Sequence, residues 1–458
     1  MLNRLLLLLC VLVIALGTVV VDFPDGATAI ALVFVTSAVA IFAFRHFTEE
    51  KEFITIVFLV ALALRMAFGV FIHVFDLREF FGGDAYAYDL HGARIVDIWL
   101  GRDSLSAEVA FIVDTSSGAG WGMYYVTAFV YLILGRNIFA AQSFCAVIGA
   151  ATAPMVFFCA QKIFNNLSVA KVSAIAVAVF PSFIIWSGQL LKDGLIIFLL
   201  VTCMTMVLSL QGKISYPAIV TLVLALFGII TLRFYIFYMA IVAVAGSFVV
   251  GLSASSKSIL RNTVILGLLG FGLMYLGVGR SADTEIRVFG NLERVQSSRL
   301  DLARTADSGF GQETDVSTTE GAISAIPIGF AFLMLAPFPW QATNLRQAIT
   351  IPEILVWWAS IPFIFMGLVY TIKNKLRAAF PILIFSLLLT IAYSIFQGNV
   401  GTAYRQRTQI QVFLFILAGV GWTVHKEEKE NKRMVRTAAQ KRVNSQLRAG
   451  AAYNREAI

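Results

Sequence analysis

Apolar residues fall in long blocks separated by short polar breaks along nearly the whole chain. A block of about 20 apolar residues matches the hydrocarbon thickness of a bilayer, where helix is the state that satisfies the backbone internally. Hydropathy predicts such helices over 5–21, 27–44 and 53–74, then 138–160, 172–186, 194–210, 217–232, 234–252 and 264–276, and finally 354–372, 378–396 and 410–424. Two further apolar stretches, 121–134 and 326–338, are short for a crossing and suit interfacial or re-entrant helices; counting both as crossings raises about twelve spans to about fourteen. The expected fold is an all-α polytopic membrane protein with about twelve transmembrane helices. From Asp84 to Trp99 the period changes: helical spacing puts Tyr88, Gly92, Ile95 and Trp99 on one face and Asp89, Arg94 and Asp97 off it. That pattern predicts an amphipathic juxtamembrane helix lying on the membrane surface.

Composition agrees, with 59% of the 458 residues apolar and 14% charged, far from the balance of a soluble domain. The charges set an orientation, because cytoplasmic loops of membrane proteins are enriched in Lys and Arg. A cytoplasmic N-terminus puts Arg45 with Lys51, Lys162 with Lys171, Lys213, Lys257 with Arg261, and Lys373, Lys375 and Arg377 all inside, together with the C-terminus. This holds only if 121–134 and 326–338 do not cross. The formal charge of +8 concentrates after Val424, where Lys426, Lys429, Lys432, Arg433 and Arg436 begin a basic tail. Next to a span, such a tail reads as a topology anchor at anionic lipid, and nucleic acid is not an expected partner. Arg4, the first apolar run and Ala27-Thr28-Ala29 superficially match a cleavable signal; the length of the run and the span that follows favour an uncleaved anchor helix. The organisation expected is two extra N-terminal spans in 1–52, a transmembrane unit over 53–424 with outer segments 75–137 and 280–324, and a cytoplasmic tail over 425–458. Segment 280–324, rich in charge, Ser and Thr, reads as a mobile hydrated loop. Cys10, Cys145, Cys159 and Cys203 all fall inside apolar runs and imply no disulfide or thiol chemistry.

Candidate chemistry gathers on the outer side of this topology. Asp84 opens the surface helix just after Gly82 and Gly83, where an aspartate serves as a helix cap, as a general base, or both. Trp186 to Gly194, carrying Lys192 and Asp193, joins two spans; Arg233 joins two more; Gln397-Gly398-Asn399 leads into Tyr404-Arg405-Gln406-Arg407. Carboxylates at Asp84 and Asp193 with guanidinium groups at Arg405 and Arg407 combine a base with donors suited to phosphate, whose oxygens fit the planar arginine fork. The histidines are scattered without metal spacing, and only His91 lies near this group. No Gly-rich phosphate loop and no Ser-His-Asp arrangement is present, so nucleotide hydrolysis is not expected to power the protein. Pro337-Phe338-Pro339-Trp340, with Trp357 and Trp358, fit interfacial aromatic anchors or the wall of a lipid groove.

Gly83-Asp84-Ala85-Tyr86-Ala87-Tyr88, Gly122-Met123-Tyr124-Tyr125, Phe180-Pro181-Ser182 with Trp186-Ser187 and Lys192-Asp193, and finally Tyr404-Arg405-Gln406-Arg407 form a series of short motifs over about 53–424. Together they resemble the C-type (GT-C fold) membrane glycosyltransferases, in particular the protein O-mannosyltransferase and aminoarabinose transferase group (glycosyltransferase family 39-like). The resemblance implies a polyprenyl-phosphate-linked sugar as donor and a hydroxyl of a glycan, lipid or protein as acceptor, with transfer on the outer face of a bacterial inner membrane. It implies Asp84 as catalytic base, Arg405 and Arg407 as phosphate binders, and Lys192 and Asp193 as supporting residues; Tyr88, His91 and Arg233, on the same outer side, are expected as further parts of the substrate site. Only Gly83 precedes Asp84, where the family has a second acidic residue, so metal dependence stays open; a divalent ion, if used, falls to Asp84 and Asp193. The two additional N-terminal spans and the lack of a soluble domain after the membrane part depart from the family and weaken the link to large protein acceptors. Two rival classes remain. An O-antigen or capsule polymerase or ligase carries paired arginine-rich outer loops, and a lipid-linked sugar transporter or flippase carries ionisable residues near the bilayer midplane. Here the charges cluster at span ends, which favours the transferase.

Overall fold

The computed structural model describes residues 20–102, 120–250, 256–278, 291–304, 308–342 and 345–456. Among them every regular element is helical, with one isolated β-bridge between Gly309 and Asn399. Nearly all of the first predicted span, 5–21, and parts of both outer segments lie outside the described residues.

In chain order the helices longer than four residues are α1 (Asp25–His46), α2 (Lys51–Val74), α3 (Asp84–Trp99), α4 (Gly122–Leu134), α5 (Ile138–Phe164), α6 (Leu167–Val179), α7 (Pro181–Ser187) and α8 (Lys192–Gly212). There follow α9 (Tyr216–Leu232), α10 (Phe234–Val250), α11 (Ser256–Tyr275), α12 (Leu292–Arg304), α13 (Thr319–Leu335), α14 (Ile351–Phe396) and α15 (Val400–Glu456). Among the described residues six helices are long and apolar enough to cross a membrane, and a seventh crossing arises if α6 and α7 form one broken span. These helices are compatible with an integral membrane protein. The predicted spans 217–232, 234–252 and 264–276 correspond to apolar helices of about 17 residues, or about 25 Å of rise, against a hydrocarbon core of about 30 Å.

The 46 residues of α14 do not form one rod. Lys375 leaves helical geometry (φ −137°, ψ 18°), and both arms return to the same place: Glu353 near the start and Gln397 just after the end each hydrogen-bond the first turns of α15, at Tyr404 and Gln406. The chain therefore doubles back at Lys375, as the basic break between 354–372 and 378–396 predicts.

At the centre lies α5, the most buried of the long spans. Its Ala140, Ala141, Ala146, Gly149, Ala150 and Ala153 let neighbouring backbones approach closely, the packing mode open to helices that gain little from burying side chains out of lipid. Asn137 caps it, accepting from the Ala140 amide at 2.8 Å while donating to the Asp25 carbonyl at 2.9 Å, which ties α1 to α5. The run 172–186 is interrupted. Pro181 excludes helical backbone at Phe180 (ψ 128°), and the chain bends by 55° into α7, where Pro181 takes a first-turn position that needs no amide proton. Arg65 from α2, 1% exposed, meets the freed end of α6: it donates to the Ala178 carbonyl at 3.2 Å and to Ser187 Oγ at 2.8 Å.

Segment 280–324, expected to be a mobile hydrated loop, carries a helix and long-range contacts where it is described. Within 291–318, α12 carries Arg299, which donates to the Thr314 carbonyl at 3.1 Å. The strap after it docks on the hinge before α15, with Phe310 N to Gly398 O at 2.8 Å and Val400 N to Ser308 O at 3.1 Å. Phe310 stacks on Phe332 of α13 at 4.3 Å. The dense charge in this interval obscures the two apolar anchors that fix it, Phe310 and Val316, both buried.

Candidate anion site at the end of the bundle

Four helices and one interhelical joint bring the predicted polar clusters to a single point. Asp193, in the first turn of α8, is fully buried. Its Oδ2 accepts from Arg405 Nε at 2.7 Å and lies 2.6 Å from Nη2 of the same guanidinium in an ion pair, and Oδ1 lies 3.3 Å from Nη2 of Arg233. Arg405 extends its third nitrogen, Nη1, to Asp84 Oδ2 at 3.0 Å. The guanidinium also lies 5.6 Å above the ring of Trp186, which α7 presents after the 55° bend. One arginine thus joins a buried carboxylate to a half-exposed one, the Asp84 side chain being 50% exposed. Lys192 lies beside the same groups, covered by Gly120: a Cβ there would sit 2.8 Å from Nζ, and φ of +99° also favours glycine. Three cations face two carboxylates, a balance that favours an added anion.

Asp84 does not act as a cap. Gly83 occupies the N-cap position of α3 without a side-chain bond, and Asp84 is the first helical residue, its carboxylate turned to Arg405. The reading as a cap is corrected. The chain reaches this position through Gly82 at φ +149°, a conformation open to glycine.

A cavity of about 520 Å³ opens beside the cluster, within the size range of small-molecule sites. Arg233, Arg405 and Arg346 line it together with Trp186, Glu353 and Tyr404. Arg233 is 8% exposed with Nη1 making no hydrogen bond, and Trp186 Nε1 is likewise buried without a partner. Two buried donors without acceptors on the wall of a cavity mark a place for a ligand's oxygens.

Tyr88, Arg233, Lys192 and Asp193 fall in or against this cluster, as expected. Tyr88 is 5% exposed beside Tyr124; burial first and the Asp84 charge second push its phenol above the ordinary range, so it stays a neutral donor. His91 packs edge-on to Tyr124 at 4.9 Å, in the contact between α3 and α4. Arg407 is a correction. It is completely buried, donates to the Met334 and Ala336 carbonyls at 3.2 and 2.8 Å, and lies over Trp357 and Tyr404 at 5.5 and 5.2 Å. Two residues on a helix are about 200° apart, so Arg405 and Arg407 cannot face one phosphate. Arg407 instead secures the carbonyls that end α13.

A divalent ion does not fit the donor set. The two carboxylates named for it hold a guanidinium between them, and among the described residues no three His, Cys, Asp or Glu side chains gather for a metal. No protein-family model matches the chain, and comparison with curated proteins finds no match. The reading of the site therefore rests on its geometry.

Sequence reasoning missed Glu353, Arg346 and Arg65. An ionisable residue within an apolar helix is the signal that marks Glu353 and Arg65, since either is costly in lipid without a buried partner.

α3 is fixed by a second pair. Asp89 accepts from Tyr131 at 2.6 Å and from Arg136 Nη2 at 2.6 Å and Nε at 3.2 Å, clamping α3 to α4. Burial alone would raise this carboxyl; the hydrogen bonds from Arg136 and Tyr131 outweigh it and hold Asp89 below the ordinary carboxylate range. A depressed folded value means the stabilisation is present above about pH 4 and is lost as pH falls through that value. Asp89→Asn is accordingly expected to lower the melting temperature at pH 7, with the gap to the parent narrowing below about pH 4. An equal gap at both pH values in detergent melts would contradict the clamp.

Proposed function

We propose that this protein is a membrane glycosyltransferase that moves a sugar from a polyprenyl-phosphate donor to an acceptor hydroxyl on the outer face of the membrane. The observation that carries the reading is Arg405, shared between buried Asp193 and half-exposed Asp84 at the edge of the cavity. Asp193, itself paired with Arg233, fixes the guanidinium, so its orientation is set before substrate arrives. A donor phosphate entering the cavity competes for Nη1, the nitrogen that otherwise holds Asp84, and finds a further donor in Nη1 of Arg233. The freed Asp84 takes the acceptor's proton as the acceptor oxygen bonds to the sugar carbon. The bond from that carbon to the phosphate oxygen breaks, and its electron pair leaves on the phosphate, facing Arg405 and Arg233.

The finer architecture belongs to the same proposal: about twelve spans in a GT-C-like arrangement over 53–424, with both termini in the cytoplasm of a bacterial inner membrane. Support comes from the convergence of Asp84, Asp193, Arg233 and Arg405 at one end of the bundle. Lys213 and Lys375 mark the far ends of helices that start or finish at this site.

The test is binding of polyprenyl phosphate to the purified protein in lipid nanodiscs, followed by transfer from polyprenyl-phosphate sugars. Arg405→Lys keeps the charge but loses the fork, and is expected to weaken lipid-phosphate binding by about 1–3 kcal/mol. Parental affinity in the Lys variant would remove Arg405 from the phosphate site.

A further inference from the structure

Thr350-Ile351-Pro352-Glu353 has the spacing of a capping box, in which Thr and Glu close the first turn of a helix reciprocally. The structure does not use it so. Thr350 Oγ1 donates to the Gln347 carbonyl at 2.7 Å, the start of α14 has no side-chain cap, and Glu353 turns inward. It is 4% exposed, and each carboxylate oxygen accepts one hydroxyl: Oε1 from Ser182 Oγ, Oε2 from Tyr404 Oη at 2.6 Å. A residue that abandons a local role so that its charge can be buried is one whose position is set by function or by strain.

The two hydroxyls belong to the two elements that aim Arg405. Ser182 lies on α7 one turn before Trp186, whose ring lies beneath the Arg405 guanidinium. Tyr404 precedes Arg405 on α15 and meets Trp186 edge-on at 6.3 Å. The broken segment and the head of the last helix are thus tied to one carboxylate on the cavity wall.

We propose that Glu353 is a positioning residue for the anion site, fixing Tyr404 and the Trp186 segment so that Arg405 points at a phosphate in the cavity. The inference rests on the phosphate reading given above. A carboxylate suits the task because it accepts from both hydroxyls at once with charge-assisted bonds, which a neutral amide cannot do without turning its NH2 toward one of them.

The experiment uses the full chain in lipid nanodiscs, with polyprenyl phosphate as probe and Glu353→Gln, Glu353→Asp, Tyr404→Phe and the Gln/Phe double variant compared at equal folded fraction. Glu353→Gln is expected to bind polyprenyl phosphate about tenfold more weakly, as for the loss of one charged hydrogen bond. Glu353→Asp should recover part of that loss. Tyr404→Phe should resemble Glu353→Gln, and the double variant should be no weaker than the poorer single, because both changes break one contact. Parental affinity in folded Glu353→Gln would overturn the proposal, as would a double variant whose loss is the product of the two singles. If the parent itself fails to bind polyprenyl phosphate while folded, the phosphate reading falls and this inference with it; binding by the parent isolates the fate of Glu353.

Discussion

Asp84→Asn is expected to lower sugar transfer by about 10²–10⁴-fold while leaving a folded protein that still binds the lipid-phosphate donor. The amide keeps an oxygen that can accept from Arg405 Nη1, now at 3.0 Å from Asp84, yet it cannot take a proton from an acceptor hydroxyl. Half exposure keeps the cost to the fold low, on the order of 1 kcal/mol or less for a pair of this kind. Initial rates of transfer in membranes, set beside donor binding, separate the two effects. A near-parental rate would show that Asp84 only pairs with Arg405 and takes no proton.

The second large effect concerns Asp193. This carboxylate is fully buried and receives both Arg405 and Arg233. Asp193→Ala leaves two guanidinium groups facing each other in a buried place, and the loss is expected to be about 3–5 kcal/mol of stability. Thermal melts in detergent should show it directly, and adding Arg233→Met to the same chain should return part of the loss by removing one of the stranded charges. A parental melting temperature in Asp193→Ala would mean that solvent or lipid headgroups already satisfy both arginines.

Much of this site was legible because sidedness can be read from apolar blocks and basic breaks. Residues at the ends of different spans meet once the spans run side by side, so Asp84, Asp193, Arg233 and Arg405 could be grouped without knowing any contact. The turn at Lys375 was legible for the same reason, since Lys373, Lys375 and Arg377 interrupt an otherwise apolar stretch. Nearness along the chain was a poorer guide. Arg407, two residues from Arg405, faces the opposite side of α15 and secures the end of α13. Glu353 was marked by its apolar neighbours although its partners were not legible, and the strap over 308–316 was hidden by its polar ones. Both are placed by long-range contacts, Glu353 to Ser182 and Tyr404 and the strap to Gly398, Val400 and Phe332, which no local pattern encodes.

The reach of Arg405 across the sequence also bears on how the protein is made. It bonds Asp193 from 212 positions away and Asp84 from 321, and it sits on α15, which follows both in the sequence. As the helices leave the insertion machinery in order, Asp193 and Arg233 are delivered together and can neutralise one another early. The oxygen of Asp193 that accepts from Arg405 stays without that donor until α15 is made, and a buried acceptor left without a donor is costly. α15 therefore completes this polar contact only after the helices that carry Asp84, Asp193 and Arg233 have been made. A chain cut short before residue 400 lacks the Arg405 donor and leaves Asp193 with Arg233 alone.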